Sequence, residues 1–313
     1  MLRILKLLMI LSTMFGSSLT ASPALAQHWC SPVNVGSGVN SAFQENYPSI
    51  SPDGLAMYFD SNRPGGFGNT DIWVSRRATI GSPWGPAINV APLNSVAMEK
   101  GFFVFSPDGR TIHFASARAG GFGGLDIYVA SRVDPDDDLG WTAPVNLGPD
   151  VNTEFQEAAN GWYLNGNQSK VKRLLFVRSD GTLDPSPGHA ENFDLFAIKQ
   201  KANGQQNDEL VEELSSIYRE TAFTLSPNQL EVFFSSTRPP SVGGLDLWTS
   251  TRFSIEDPWG VPIPMDAVLN TIGRDETGTI DPSDATGNTL YIFSNRAGAI
   301  GGADVFVTTR TCQ

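Results

Sequence analysis

Histidine and cysteine are scarce in this chain of 313 residues, with three of the first and two of the second. No His-Glu-x-x-His pair and no Gly-x-Ser-x-Gly elbow occurs, which removes the common zinc-hydrolase and serine-hydrolase signatures. His113 replaces the tyrosine of a Leu-x-Tyr-Phe-like strand and reads as a packed aromatic substitute; His189 has no Cys, Ser or metal-ligand partner at a recognised spacing. The Gly-rich runs, such as Gly120-Gly121-Phe122-Gly123-Gly124, lead into strands and lack Gly-Lys-Ser/Thr, so they do not cradle phosphate. Basic charge is also short. Lys and Arg number 21 against 33 Asp and Glu, a net charge of −12. That balance argues against nucleic acid and against anionic membrane surfaces, and suits solubility or a basic partner.

Long apolar runs are missing except at the start. Arg3 and Lys6 precede a mostly apolar Leu7–Leu19, and Ala24-Leu25-Ala26 fits a signal-peptidase site. The run is too short and too interrupted for a confident membrane span. Cys30 does not directly follow the cleavage site, which argues against a lipoprotein. Residues 1–26 are therefore expected to be removed on export to the periplasm or the exterior. Residues 27–313 would remain as one domain, not membrane-embedded and expected to be monomeric.

What is abundant is repetition. Glu45–Arg76 (ENYPSISPDGLAMYFDSNRPGGFGNTDIWVSR) returns at Glu99–Arg132, Glu220–Arg252 and Glu276–Arg310, with a degenerate copy from Glu157 to Lys199. A period of this size marks stacked repeats or a propeller. Each unit reads as a short strand, a Ser-Pro-Asp-Gly-type turn, an aromatic and β-branched strand, a glycine-rich loop and a third strand. A Trp-Gly-x-Pro-like segment follows, at Trp84, Trp141 and Trp259, as a fourth strand on the outer edge, where proline is tolerated. Four antiparallel strands repeated five times predict an all-β, five-bladed β-propeller. Trp29–Gly36 has the fourth-strand pattern, while the last copy stops after its third strand. The N-terminal strand is thus expected to join the last blade and close the ring, with Cys30 and Cys312 forming a disulfide across the closure.

Arg63 and Asp71, Arg118 and Asp126, Arg238 and Asp246, and Arg296 and Asp304 are each eight residues apart; Arg178 and Asp194 are sixteen apart. The fixed spacing predicts a structural Arg–Asp clamp at each hairpin neck. Glu45, Glu99, Glu157, Glu220 and Glu276 fall just before the first strands and would share a face with the clamps, nearest the axis. Asp275 competes with Glu276 for that register, and Glu154 with Glu157. This carboxylate ring is the candidate binding site, for a cation such as Ca²⁺ or for acid–base work on a glycan. Because the positions are equivalent and each has an Arg at hand, structural pairing is the plainer reading, and no catalytic residue and no cofactor is assigned. Asp134-Pro135-Asp136-Asp137-Asp138-Leu139-Gly140 resembles a calcium loop only loosely and reads as a solvated turn. The Ser179–Asn192 loop and the Lys201–Asp208 insertion depart most from the repeat, and are where a specific ligand would be met.

Ser51-Pro52-Asp53-Gly54 with Met57-Tyr58-Phe59, Ser106-Pro107-Asp108-Gly109, and the Ser-x-Arg…Gly-Gly…Asp-Ile-Tyr/Trp continuation resemble the TolB-type, WD40-like (PD40) propeller repeat. The resemblance covers nearly all of the chain after the signal segment. It implies a periplasmic, non-catalytic scaffold binding an envelope protein or other ligand. TolB itself has six blades and an additional α/β domain, unlike this sequence. The alternative is a glycan-binding or glycan-cleaving propeller that uses channel carboxylates.

Overall fold

The structure is a computed structural model that describes residues 28–159, 173–179, 181–182, 192–200 and 206–312. Five four-stranded antiparallel sheets stand around one axis. Blade 1 comprises Glu45–Ile50, Ala56–Ser61, Asp71–Arg76 and Ile88–Asn89, from axis to rim. Blade 2 comprises Glu99–Phe105, Thr111–Ser116, Asp126–Ser131 and Val145–Asn146. Blade 3, the degenerate copy, comprises Glu157–Ala159, Arg173–Ser179, Phe193–Gln200 and Gln206–Leu210. Blade 4 comprises Glu220–Leu225, Glu231–Ser236, Asp246–Thr251 and Ile263–Pro264. Blade 5 comprises Asp275–Ile280, Thr289–Ser294 and Asp304–Thr309, and its outer strand is Val33–Asn34 from the other end of the chain.

The closure is as the sequence predicts. Val33 pairs with Val307 and Asn34 with Phe306, and Cys30 N–H donates to the Thr309 carbonyl at 2.8 Å. Cys30 and Cys312 are disulfide-bonded, with Cα atoms 5.4 Å apart. The Ser-Pro-Asp-Gly turns also form as expected. Gly54 N–H reaches the Ser51 carbonyl at 2.8 Å, and Gly54 takes a φ of +75°, which a side chain would resist.

Each sheet is buried on both faces, so alternate side chains of one strand enter different cores. Ala56 and Tyr58 pack with Ile112, Phe114 and Tyr128 of blade 2, while Met57 and Phe59 pack with Tyr291 and Val305 of blade 5. This explains why the strands read as nearly continuous apolar runs instead of alternating. The recurrent Trp of the fourth-strand segment has a common partner, an Arg just beyond the third strand. Arg77 lies over Trp84 at 4.4 Å, Arg132 over Trp141 at 4.3 Å, Arg252 over Trp259 at 4.2 Å, and Arg310 over Trp29 at 4.6 Å.

One acidic turn is corrected by the structure. Asp134, Asp136 and Asp137 face solvent, but Asp138 is buried against Arg76, Arg132 and the Tyr58 hydroxyl, which donates at 2.7 Å. The Asp138 carboxylate therefore bridges blades 1 and 2. Asp281 does the equivalent for blades 5 and 1, accepting from Arg77 at 3.1 Å. Burying such charges is favourable only with this degree of hydrogen bonding.

Candidate functional site

Strand pairing sets the ends of the first strands, the ends of the second and the starts of the third side by side. Glu45 stands opposite Ser61 and Ser61 opposite Asp71, and blades 2, 4 and 5 repeat this register. The Arg, however, does not take the Asp. Arg63 folds back across Ser61 and donates to Glu45 at 2.8 Å. Arg118 takes Glu99 at 3.2 Å, Arg238 takes Glu220 at 2.8 Å, and Arg178 takes Glu157 at 2.9 Å. In blade 5 the partner of Arg296 is Asp275, at 2.7 Å, so Asp275 and not Glu276 holds the repeated place.

Each of these buried carboxylates is already well supplied with donors. Glu45 also accepts from Ser41 N–H at 2.8 Å, Ser41 Oγ at 2.5 Å and Ser61 Oγ at 3.1 Å. Ser95, Thr153, Ser216 and Thr271 serve the other four blades in the same way. Burial raises the pKa values of Glu157 and Glu220, and the hydroxyl, amide and Arg partners oppose it. These carboxylates act as neck clamps, with little capacity left for a ligand.

The Asp series holds the glycine-rich loops instead. Asp71 accepts from Phe67 N–H at 2.9 Å and Gly68 N–H at 3.1 Å. Asp126 takes Phe122 and Gly123, Asp246 takes Val242 and Gly243, and Asp304 takes Ile300 and Gly301. Asp194 is buried at the matching place in blade 3, opposite Arg178. Residues 180 and 183–191 of the Ser179–Asn192 loop, His189 among them, and residues 201–205 of the Lys201–Asp208 insertion lie outside the described residues, as do residues 1–27.

A different group of side chains lies beside this frame, at positions where the repeats disagree. The residue following the clamp carboxylate is Asn46, Lys100, Ala158, Thr221 or Glu276, and its cross-strand partner is Asp60, Ala115, Val177, Ser235 or Phe293. The residue preceding the carboxylate is Gln44, Met98, Gln156, Arg219 or Arg274. Only the blade-specific choices bring Asp60, Lys100, Arg219, Arg274 and Glu276 together near the axis.

Their geometry is unequal. Asp60 is buried. Its Oδ1 accepts from Gly101 N–H of blade 2 at 2.8 Å, and its Oδ2 from Asn46 Nδ2 at 3.2 Å. Burial pushes the Asp60 carboxyl up to about 6, against the pull of those two donors and of Lys100 and Arg274. The Oδ1 of Asn46 is buried and meets no donor among the described residues. With the amide turned, that oxygen would accept a proton carried by Asp60. Glu276 is fully buried and ion-paired with Arg274, whose side chain is 44 % exposed. The charge of Glu276 raises the Arg274 pKa, and burial raises that of Tyr47. Lys100 is half-buried, its Nζ 5.5 Å from the Tyr47 ring centre, and forms no ion pair among the described residues. Burial and then the nearby Arg219 lower its pKa, while Asp60 and Glu276 oppose the shift.

Below this level the inner strands of blades 1, 2, 4 and 5 shift register through bulges. Tyr47 and Ala222 sit in these bulges with φ of +50° and +47°, a conformation that disfavours side chains. Pro48, Phe103, Phe223 and Thr277 line a cavity of about 80 Å³ there, room for a few waters. Among the described residues no cluster of three His, Cys, Asp or Glu is placed to hold a metal ion.

Reading the sequence for recurrence finds the clamp and overlooks the axial group. The signal for the axial group was present, in the residues flanking each Glu that differ from copy to copy. A second motif was also legible, an Asn five residues before the clamp carboxylate. Asn40, Asn94, Asn152 and Asn270 each bond both backbone groups of one third-strand residue, as Asn94 does with Ile72 at 2.7 and 3.0 Å.

No protein-family model and no curated protein matches the chain. Solved structures do. One is a GH62 hydrolase in complex with xylotriose, at 11 % identity and TM-score 0.56, covering 90 % of this chain and 96 % of that one. Another is the exo-β-1,3-galactanase of Phanerochaete chrysosporium with β-1,3-galactotriose, at 10 % identity and TM-score 0.54, covering 88 % of this chain and 63 % of that one. At such identities the likeness shows the fold alone. It still corrects the reading of a non-catalytic TolB-like scaffold, because these structures sharing the frame are glycoside hydrolases. The chain is a five-bladed β-propeller similar in fold to glycoside hydrolase propellers.

Proposed function

We propose that this chain is a glycan-cleaving propeller that works at the axial cluster, with Asp60 as proton donor and Glu276 as the second carboxylate. The observation that carries this reading is the unlike pair of blade-specific carboxyls, in a ring whose repeated carboxylates are occupied as clamps. Glycoside hydrolysis needs two carboxyls held in different environments. One gives its proton to the glycosidic oxygen as the bond to the anomeric carbon breaks. The other activates a water, or attacks that carbon itself. Asp60, pushed up to about 6, carries a proton in mildly acidic solution. Glu276 lies instead against a guanidinium. The fold likeness to glycoside hydrolases supports the same class of chemistry. The Cys30–Cys312 disulfide supports an exported protein, acting in the periplasm or outside the cell.

The test is reducing-sugar release by the pure protein from a panel of plant and bacterial polysaccharides. Asp60→Asn and Glu276→Gln are each expected to lower release by about 100-fold or more while the melting temperature is kept. Release by the parent should fall as pH rises through about 6, where Asp60 loses its proton. Undiminished release by both variants, or no release from any polysaccharide, overturns the proposal.

A further inference from the structure

We infer that the axial cluster takes an anionic glycan, one bearing a sugar carboxylate, with Lys100 as the residue that selects for it. The inference rests on the cluster being the glycan site. Its basis is which charges face outward. Asp60 and Glu276 are buried at 2 % and 0 % exposure, whereas Lys100, Arg219 and Arg274 are only partly covered. A ligand arriving at the mouth therefore meets cations first and carboxylates behind them. Arg274 is engaged by Glu276, and Arg219 lies over the Phe193 ring at 4.6 Å. Among the described residues Lys100 has no ion pair, and its Nζ lies 5.5 Å from the centre of the Tyr47 ring.

The half-buried ammonium has Arg219 and Arg274 as well as Asp60 and Glu276 nearby, so the buried carboxylates offset only part of the positive charge at the mouth, and a bound anion offsets the rest. Desolvated sites of this kind bind opposite charge far more strongly than surface lysines do. The setting sharpens the point. The chain as a whole is strongly acidic, at −12, so a cationic patch at its axis is a local exception and not a share of a general basic surface. The sugars bound in the two similar structures, xylotriose and galactotriose, carry no ionised group. The selectivity inferred here therefore arises from this chain's own residues. The Lys100 position is Asn46, Ala158, Thr221 and Glu276 in the other blades, so the repeat does not require a lysine there.

The experiment is calorimetric binding to the intact, disulfide-bonded protein, with oligogalacturonate and neutral oligogalactoside of equal length as probes. A sulfated galactoside serves as a third arm, to separate carboxylate recognition from recognition of any anion. Oligogalacturonate is expected to bind at least tenfold more tightly than the neutral probe and to weaken as salt rises from about 50 to 500 mM, as screening requires. Lys100→Met should lose about tenfold more affinity for the acidic probe than for the neutral one, and Lys100→Arg should retain the preference. Equal binding of acidic and neutral probes, or equal loss on both in Lys100→Met, overturns the inference and leaves the glycan reading standing. Tighter binding of the sulfated probe than of the uronate also overturns it. Binding of none of the three removes both.

Discussion

His113 and Asp60 titrate in opposite senses, and the difference follows from what each group becomes when buried. His113 occupies the place of Tyr58, Phe233 and Tyr291 in the other blades, among Val104, Val129 and their neighbours. Burial pushes its imidazole down to about 4 from 6.5. The folded chain thus keeps His113 neutral where the unfolded chain takes up a proton. The stability it contributes is complete above about pH 6.5 and is lost as pH falls toward 4. A shift of that size corresponds to about 3 kcal/mol. His113→Phe should therefore flatten the fall in unfolding free energy between pH 6.5 and 4, measured by urea denaturation. An unchanged acid limb would show that another group governs it. The packed-aromatic role of His113 was legible from its place in the strand pattern. The partner of each neck Arg was not, because an eight-residue spacing fixes which loop is closed but not which of two nearby carboxylates the guanidinium reaches. Asp71 is taken by the amides of Phe67 and Gly68, and Glu45 is left for Arg63.

The inner strands are one place where adjacent blades lock together, and the fit is close at Gly101. A Cβ there would lie 2.2 Å from the Tyr47 Cβ and 2.7 Å from Asp60 Oδ1. Glycine lets the backbone of blade 2 come close enough to donate its N–H to the Asp60 carboxylate. Gly101→Ala should destabilise the protein by about 1–3 kcal/mol, the usual cost of overpacking a close-fitted site. It should also weaken glycan cleavage by more than the stability loss explains, because the Gly101 donor to Asp60 would be displaced. Chemical denaturation and initial rates measured below the transition check the two effects separately. Strand order, turn type and the outer-edge proline were all visible in sequence because local residue chemistry dictates them. The bulges at Tyr47 and Ala222 were not, since nothing in the local sequence requires a side chain to take positive φ. Those conformations occur in the bulges of inner strands, where five blades meet around one axis.

At the scale of the molecule, the ring depends on a closure made by the two ends of the chain. Val33 and Asn34 pair as strand with Val307 and Phe306, a two-residue outer strand like those of blades 1, 2 and 4, and Cys30, Val35 and Asn40 add hydrogen bonds to Thr309 and Val305. The disulfide joins residues 282 apart in sequence, which in the chain-entropy account is worth up to about 5 kcal/mol. Blade 5 carries Arg274 and Glu276, and blade 1, its neighbour, carries Asp60 and Asn46. Loosening this seam therefore separates Arg274 and Glu276 from Asp60 before it disturbs blades 2 to 4. Cys30→Ser with Cys312→Ser should lower the unfolding free energy by several kcal/mol, and reduction of the parent protein should do the same. Below the melting transition, the double variant should lose glycan affinity while its far-ultraviolet circular dichroism stays that of a β-sheet protein. Retention of full affinity in a destabilised double variant would mean that the Val33–Asn34 pairing and the packing of Trp29 against Phe233 hold the seam without the covalent link.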